Sequence, residues 1–341
     1  MKRRCCPNGV PLRESECVAF SPIDSGRSHN KGLAAPVVRI LVTGVNGFIG
    51  AAVATAAHAE GHEVVGVDLS TRERTLPRGV QEIRGDIISP ATWWGALGKI
   101  DVVVHSAAVH RSDQIAERPV RSIEVNLRGT SLLLEMAASS GVQRFIHLSS
   151  AKVYGEPLAF PSSEDDLLNP VEPYGLAKAV SEQACSYFAM HSEMRCMSVR
   201  PFSVYGPGQD LRTGYIGQLL EGWRAGQPVT FSGSPDYLRD FVHIDDVVSI
   251  CLAAVQADQQ FTVVNAGSGA ATSLEDLVSA FVSLCGDRVD VDYVPARAGT
   301  ITRTLADARR GRQLLGRSPI SLRDGLLDTL QPGALASSAR G

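Results

Sequence analysis

The feature that most constrains this sequence is a repeated alternation of short, wholly apolar runs with helical segments of a dozen residues or more. Runs of this kind, rich in β-branched residues, fit strands. Strands that are apolar throughout need cover on both faces, which parallel sheets with helical crossovers provide. The pattern therefore predicts an α/β fold with a doubly wound parallel sheet. We expect strands at Ile40–Thr43, Glu63–Asp68, Ile100–His105, Arg144–Ser149 and Met197–Pro201, and helices at Gly47–Ala59, Arg121–Ser139 and Tyr174–Met190.

The rhythm changes after Val204, where glycine and proline clusters and longer loops separate the predicted helices. We expect helices near Tyr215–Ala225, Ile244–Ala257 and Ser273–Cys285 in this part. This composition favours a division into a main-sheet domain over residues 37–203 and a smaller C-terminal α/β lobe over residues 204–332, some segments of which return to the main sheet. Residues 1–36 have no sustained pattern and are predicted to be a disordered tail, and residues 333–341 a flexible end.

Charge and composition exclude several classes of protein. The 341 residues include 33 Lys and Arg against 36 Asp and Glu, which gives a formal net charge of −3. Such a chain has no overall positive field for nucleic acid or anionic membranes. No stretch approaches the roughly 20 apolar residues of a membrane-spanning helix. The seven cysteines are scattered without a C-x-x-C pair, so we expect free thiols, no zinc site and a cytoplasmic location.

The first predicted turn carries three glycines in a G-x-x-G-x-x-G spacing, from Gly44 to Gly50. Between a strand and a helix, this pattern predicts a dinucleotide site, because the backbone can approach a pyrophosphate at the helix N-terminus. The sheet is therefore expected to be of the Rossmann type. Asp68 ends the second strand, where a carboxylate accepts the ribose hydroxyls and repels a 2′-phosphate. Arg72 and Arg74 follow it and would suit NADP, but the position of Asp68 favours NAD.

A second motif, Tyr174-Gly175-Leu176-Ala177-Lys178, opens the long helix after the fourth predicted strand. The i, i+4 spacing puts the phenol and the ammonium on one helix face. The lysine charge and a cationic nicotinamide ring would both favour the phenolate, so we expect the pKa of Tyr174 to fall. The preceding strand ends in Ser149 and Ser150, where a hydroxyl can hold a substrate oxygen while Tyr174 takes its proton.

With these motifs in order, residues 37–330 resemble the extended short-chain dehydrogenases/reductases, within the NAD-dependent nucleotide-sugar epimerases and dehydratases. The stretches that carry the resemblance are Thr43–Gly50, Gly85–Ile87, His105–Ala108, Asn126–Thr130, Leu148–Gly155, Tyr174–Lys178, Arg200–Pro207, Arg239–Asp246 and Asn265–Gly269.

The resemblance implies a role for each matching position. Ser150, Tyr174 and Lys178 would be the catalytic residues, with Ser149 the weaker stand-in for the serine. The implied cofactor contacts are Gly44, Gly47, Phe48, Ile49, Gly50, Asp68, Asp86, Ile87, Ser106, Ala107, Ala108, Asn126, Tyr174, Lys178 and Phe202. The implied substrate contacts are Ser150, Tyr174, Ser203, Arg239 and Arg297, with Arg303 a further candidate for the diphosphate. No metal is expected, since His243 and Asp245-Asp246 fit a helix start.

The chain also departs from its family. Ala151 and Lys152 follow Ser150 where the 4,6-dehydratases have an Asp-Glu pair, which argues against a simple dehydratase. Ser203, the Arg297–Thr300 segment and His110 also differ from the usual pattern, so the UDP-glucose/UDP-galactose pair of substrates is in doubt. Lys152 is interpreted either as a surface lysine or as an extra cation for a carboxylate or phosphate of the substrate.

The resulting expectation is an NAD-dependent 4-epimerase of a nucleotide-linked sugar that works through a transient 4-keto intermediate. A reductase or dehydrogenase of a nucleotide-linked deoxysugar, a nucleotide-uronate decarboxylase and a non-catalytic dinucleotide sensor remain alternatives. Family likeness also predicts a homodimer, formed through the helices that follow Asn126 and Tyr174.

Overall fold

The computed structural model describes residues 37–70, 74–286, 289–296 and 299–331. The predicted tails at residues 1–36 and 333–341 lie outside the described residues, as do Arg72 and Arg297. The strands are β1 (Arg39–Thr43), β2 (Glu63–Asp68), β3 (Gln81–Arg84), β4 (Val102–His105), β5 (Arg144–Leu148), β6 (Arg195–Pro201), β7 (Ser203–Tyr205), β8 (Val229–Ser232), β9 (Leu238–His243), β10 (Phe261–Ala266), β11 (Ala271–Ser273) and β12 (Val291–Val294). The helices are α1 (Phe48–Ala59), α2 (Ser112–Glu117), α3 (Pro119–Ile123), α4 (Gly129–Ser139), α5 (Pro173–His191), α6 (Gly214–Ala225), α7 (Ile244–Ala254), α8 (Leu274–Cys285), α9 (Arg309–Leu315) and α10 (Leu322–Leu330).

Within the described residues, seven strands form the main sheet in the order β10-β6-β5-β4-β1-β2-β3, and every neighbouring pair is parallel. Alternate side chains of one strand enter different cores: Ile40 and Val42 pack on one face of the sheet, and Leu41 on the other. The first face is covered by α1 and α7, and the second by α4 and α5. Continuous apolar strands were therefore the correct signal, and the expected α/β fold with a Rossmann-type sheet is confirmed.

A third apolar core lies in the C-terminal part of the chain. It gathers aromatic and aliphatic side chains such as Tyr205, Phe231 and Phe281 around two small sheets, β11-β9-β7 and β12-β8. Strand β10 of the same sequence region belongs to the main sheet, where it pairs with β6. The loops that follow the parallel strands of the main sheet lie at its carboxyl edge, where ligands of open α/β sheets bind.

One predicted helix differs in the structure. Residues Arg121–Ser139 do not form a continuous α-helix, because α3 ends at Ile123 and a π-helical turn, Glu124–Arg128, separates it from α4. The turn carries Asn126, which is fully buried. Single π turns inside α-helices are frequent at functional sites. Apolar periodicity alone does not reveal such a turn.

Candidate active site

The glycine turn after β1 forms a cradle into which no side chain would fit. Gly44 has a φ of +72°, and a Cβ at this position would lie 2.6 Å from the backbone nitrogen of Ala107. A Cβ on Gly50 would lie 2.1 Å from the carbonyl oxygen of Gly44. Helix α1 begins at Phe48, directly after Gly47, so its free N–H groups face this turn. The residues present therefore fit a dinucleotide pyrophosphate held by backbone amides.

Asp68 lies at the carboxyl end of β2, beside this cradle. Its carboxylate accepts hydrogen bonds from the backbone N–H groups of Asn46 (3.0 Å) and Leu69 (2.8 Å). Arg74 donates from Nε to the carbonyl oxygen of Asn46 at 2.9 Å. These contacts fix Asp68 next to the glycine turn, where it can meet an adenosine ribose. Asp86 follows β3 at the same edge, since the N–H of Gly85 donates to the carbonyl of Asp68 at 2.8 Å.

A buried chain of hydrogen bonds connects the loop after β4 to β1 and α4. His105 Nδ1 lies 2.7 Å from Thr43 Oγ1, and Nε2 lies 2.9 Å from Thr130 Oγ1. Thr130 donates its proton to the carbonyl of Asn126 at 2.6 Å, so it must accept from His105 Nε2–H. Nδ1 then accepts from Thr43, whose oxygen in turn accepts from the N–H of Ala107 at 3.3 Å. The Thr43–His105–Thr130 chain thus fixes one neutral tautomer of His105 and the position of Ala107.

Asn126, in the π-helical turn before α4, holds the same loop by hydrogen bonds. Its Oδ1 accepts from the N–H of Val109 and its Nδ2 donates to the carbonyl of Val109, both at 2.8 Å. Ile87 packs directly against Gly129 at the start of α4, where a Cβ would lie 2.8 Å from its side chain. The segment Ser106–Ala108, predicted to pass beneath the cofactor, is therefore held from both ends.

Ser150, Tyr174 and Lys178 come together at the carboxyl end of β5. The side chain of Ser150 lies near enough to the phenol of Tyr174 to lower its pKa. Lys178 is 1% exposed, donates to the carbonyl of Leu148 at 2.5 Å, and places Nζ 5.8 Å from the centre of the Tyr174 ring. The i, i+4 spacing in α5 thus brings the ammonium beneath the phenol, and the strand end supplies the hydroxyl.

The electrostatics of this group differ from the sequence-based expectation in one respect. Burial raises the pKa of the Tyr174 phenol above its ordinary value, the side chain of Ser150 offsets this only in part, and Glu172 raises it further. Burial also lowers the pKa of Lys178 to about 8. The expected fall in the pKa of Tyr174 is therefore not produced by the protein's own groups, because burial raises this pKa by more than those groups lower it.

The structure separates the roles of the two adjacent serines. Ser149 is buried and donates its hydroxyl to Glu182, whose carboxylate is held by Arg200 through bonds of 2.9 Å and 2.6 Å. Arg200 also donates to the hydroxyl of Tyr154 at 2.8 Å. Ser149 is thus bonded to a buried ion pair, and Ser150 is the serine that lies next to Tyr174. Sequence reasoning missed this network, although Glu182 stands four residues after Lys178 on the same helix.

The predicted substrate contacts lie in the C-terminal lobe and its junction with the sheet. Arg239 in β9 donates to the carbonyls of Leu238 (2.8 Å), Thr302 (3.0 Å) and Ile301 (2.8 Å). Its guanidinium also lies over the rings of Tyr215 and Tyr237. The bonds described for Arg239 thus tie it to its own lobe, and the second expected clamp, Arg297, lies outside the described residues.

The remaining predicted positions lie between β6 and the end of β9, except Arg303, which pairs with Leu238 of β9. Phe202 joins β6 to β7, where its ring contacts that of Tyr154, and Ser203 pairs with Phe241 of β9. Arg303 lies over the ring of Phe160, with Nε 3.8 Å from Glu156. His243 accepts from the N–H of Asp245 at the start of α7, as expected for a helix start.

Comparison with known proteins identifies the family. The model of the NAD-dependent epimerase/dehydratase family matches residues 40–267. The chain belongs to this family. It is 33% identical over 310 residues to the UDP-glucose 4-epimerase of Mycolicibacterium smegmatis, an alignment that covers 86% of this chain and 98% of the relative. The family resemblance and the expected cofactor, NAD, are thereby confirmed.

Two solved structures are also similar to this chain. MoeE5 in complex with UDP-glucose and NAD is 35% identical, with a TM-score of 0.78 over 85% of this chain and 96% of that chain. The UDP-glucose 4-epimerase of Thermotoga maritima with UDP-glucose is 30% identical, with a TM-score of 0.81 over 85% of this chain and 97% of that chain. Among the described residues, no helix is long and apolar enough to cross a membrane.

Proposed function

We propose that this protein is an NAD-dependent 4-epimerase of a nucleotide-linked hexose. The observation that carries the proposal is the grouping of Ser150, Tyr174 and the buried ammonium of Lys178 at the same sheet edge as the glycine cradle. A hydroxyl next to a phenol and a buried cation can hold a sugar alcohol and remove its proton. The alanine and lysine after Ser150 argue against elimination of water, which would call for acidic residues there.

Each catalytic residue would have a distinct task. Ser150 would hold the oxygen at C4 of the sugar, and Tyr174 would accept its proton and later return it. Lys178 would favour the phenolate and bind the nicotinamide ribose. The chemistry that NAD would supply when bound is the removal of a hydride from the sugar and its return to the same carbon. Burial raises the pKa of Tyr174 and so disfavours the phenolate. The positive charge of the oxidised cofactor would lower that pKa and assist deprotonation.

The cofactor contacts are proposed along the cradle and the strand ends described above. They are Gly44, Gly47, Phe48, Ile49, Gly50, Asp68, Asp86, Ile87, Ser106, Ala107, Ala108, Asn126, Tyr174, Lys178 and Phe202. The fit rests on the close approach that the glycines allow and on the carboxylate of Asp68. A carboxylate there accepts ribose hydroxyls and repels a 2′-phosphate, which favours NAD over NADP.

The nucleotide end of the substrate is assigned to the C-terminal lobe. Ser203, Arg239 and Arg297 are proposed to contact the diphosphate or the sugar. Three N–H groups of Arg239 bond backbone carbonyls, and its remaining N–H groups would donate to phosphate oxygens. UDP is the proposed nucleotide because the compared epimerase of Thermotoga maritima and MoeE5 were each solved with UDP-glucose.

We further propose that the protein is a homodimer in the cytoplasm. Four exposed apolar side chains follow one another along α5, namely Leu176, Val180, Tyr187 and Met190. Their exposed fractions lie between 41% and 68%, and a second copy of α5 would remove this stripe from water. The buried free thiols of Cys185, Cys196 and Cys251 suit a reducing compartment.

The proposed reaction is tested with a UDP-hexose that carries deuterium at C4. A hydrogen that is removed from C4 and returned to the same carbon stays with the sugar, so the 4-epimer is expected to retain the label. Mass spectrometry of the separated products measures this retention. Label lost to water or to free NADH would contradict the proposal, and released carbon dioxide from a uronate substrate would indicate a decarboxylase.

A further inference from the structure

A second lysine lies beside the phenol of Tyr174. The Nζ atom of Lys152 is 5.8 Å from the centre of the Tyr174 ring, the same distance as Nζ of Lys178. Lys178 is almost completely buried, whereas 38% of the Lys152 side chain is exposed. One aromatic ring therefore has two ammonium groups near it, one in the protein interior and one at the edge of the site.

Local structure holds Lys152 in this place. Residues Ala151–Tyr154 form a 3₁₀ turn directly after β5, and the N–H of Lys152 donates to Ser150 Oγ at 3.2 Å. The first turn of α5 packs tightly on it, since a Cβ on Gly175 would lie 2.6 Å from the carbonyl oxygen of Lys152. The backbone of Lys152 is thus held between Ser150 and Gly175, the residue that follows Tyr174.

Lys152 also has an acidic partner. Its Nζ lies 2.6 Å from Oε1 of Glu172, the residue that precedes α5 and stands two positions before Tyr174. The Glu172 side chain is 28% exposed, so its charge is only partly screened by water. The charge of Glu172 opposes phenolate formation at Tyr174, and a lysine paired with that carboxylate reduces this effect.

We propose that Lys152 and Glu172 form an electrostatic positioning pair for Tyr174, in which the lysine offsets a glutamate charge that would otherwise act on the phenol. This inference rests on the proposed function, in which Tyr174 is the base. In this proposal Lys152 acts on Tyr174 and does not bind a charged group of the sugar. Neither residue exchanges a proton with the substrate.

The polar and titratable groups around Tyr174 and its two lysines come from three elements. Lys178 and Glu172 belong to α5 and its start, Ser150 and Lys152 to the turn after β5, and His110 to the loop after β4. Burial lowers the pKa of His110, a backbone hydrogen bond at Ala108 opposes this, and the charges of both lysines lower it further. Glu172 raises the pKa of Tyr174. Because the pair is partly exposed, we expect removal of either charge to move the pKa of the phenol by about one unit.

The test is a titration of Tyr174 in the NAD-loaded protein, followed by the ultraviolet absorbance of its phenolate. Each protein is compared with the same protein carrying Tyr174→Phe, which isolates this tyrosine from the others. Lys152→Met is expected to raise the pKa of Tyr174, because Glu172 then acts unopposed. Glu172→Gln is expected to lower it. The double variant should lie between the two and near the unmodified protein, and Lys152→Arg should restore the original titration.

Coincident titrations of Lys152→Met and the unmodified protein would overturn the proposal. So would a double variant that titrates like Lys152→Met, because Glu172 would then have no part in the effect. A Lys152→Met protein with an unchanged titration and only a raised KM would assign Lys152 to sugar binding instead. The readout does not depend on turnover, so shifted titrations without epimerisation of any sugar would contradict the proposed function alone.

Discussion

Ser149 and Ser150 are neighbours in sequence but have different partners in the structure. Ser149 donates to the buried carboxylate of Glu182, and Ser150 meets Tyr174. Ser150→Ala should lower kcat about 100-fold or more, as expected when a group that positions a proton transfer is lost. Ser149→Ala should instead lower the free energy of unfolding by about 1–3 kcal/mol, because Glu182 loses a buried donor.

Steady-state kinetics and urea unfolding of the two variants measure this difference. The two serines control for each other, since both changes remove one hydroxyl from adjacent positions. A larger loss of kcat in Ser149→Ala than in Ser150→Ala would contradict the assignment of Ser150 as the serine that acts on the substrate.

Lys178 gives a pH dependence of stability whose sign follows from burial. Its pKa is about 8 in the folded protein, against 10.5 for an unperturbed lysine. Between these values the unfolded chain binds more protons than the folded one, so the free energy of unfolding rises with pH through this window. Lys178→Met lacks this titration. The stability of the unmodified protein relative to Lys178→Met should therefore increase as the pH rises from about 8 towards 10.5.

Urea unfolding of both proteins across this range measures the difference between their free energies of unfolding. Groups other than Lys178 titrate in both proteins, so their contributions cancel in this difference. A difference that stays constant with pH, or falls, would show that Lys178 is not destabilised by burial in the way described.

At the scale of elements, the Thr43–His105–Thr130 chain joins the end of β1, the end of β4 and the start of α4. Thr43→Val keeps the shape of the side chain but removes the acceptor of the Ala107 N–H. The loop beneath the proposed cofactor then loses one support, and we expect NAD affinity to fall about tenfold, the effect of one buried hydrogen bond. Titration calorimetry of cofactor-stripped protein measures it.

His147 provides a matched control for this element. Its ring stacks on His105 with centroids 5.7 Å apart and is equally buried, yet neither of its nitrogens has a hydrogen-bond partner among the described residues. His147→Leu should leave NAD affinity unchanged and should not destabilise the protein, because no bond is lost. Equal loss of NAD affinity in both variants would assign the effect to general damage of the sheet.

Helix α5 carries the proposed dimer contact on the side opposite its buried face. Met190→Glu is expected to shift the protein from dimer to monomer, because a charge would be removed from water in the contact. Leu327→Glu on α10, another exposed apolar position, should leave the assembly unchanged. Sedimentation velocity distinguishes the two states. An unmodified protein that is monomeric throughout would contradict the homodimer.

At the scale of the whole molecule, the sequence predicted the elements whose pattern is local. Five buried strands of the main sheet and the glycine turn could be found because apolar runs and glycine spacing are written in adjacent residues. Edge strand β3 was missed because its residues are exposed or half-buried. The return of a C-terminal segment to the main sheet was expected, but β10 was not located because it pairs with a strand distant in sequence. The constellation of Ser150, Tyr174 and Lys178 followed from spacing along one strand and one helix. The partners of Ser149, His105 and Lys152 did not, since they come from residues distant in sequence.

The most direct test of the account uses purified protein without added cofactor, incubated with UDP-glucose and, separately, with UDP-glucuronic acid. An epimerase regenerates its NAD in each turnover, so the cofactor that purifies with the protein should suffice. We predict an isomer of unchanged mass from one of these sugars, identified by chromatography and mass spectrometry. Products that form only when NAD or NADH is supplied, with a mass change of two hydrogens, would contradict the account and leave a dehydrogenase or reductase.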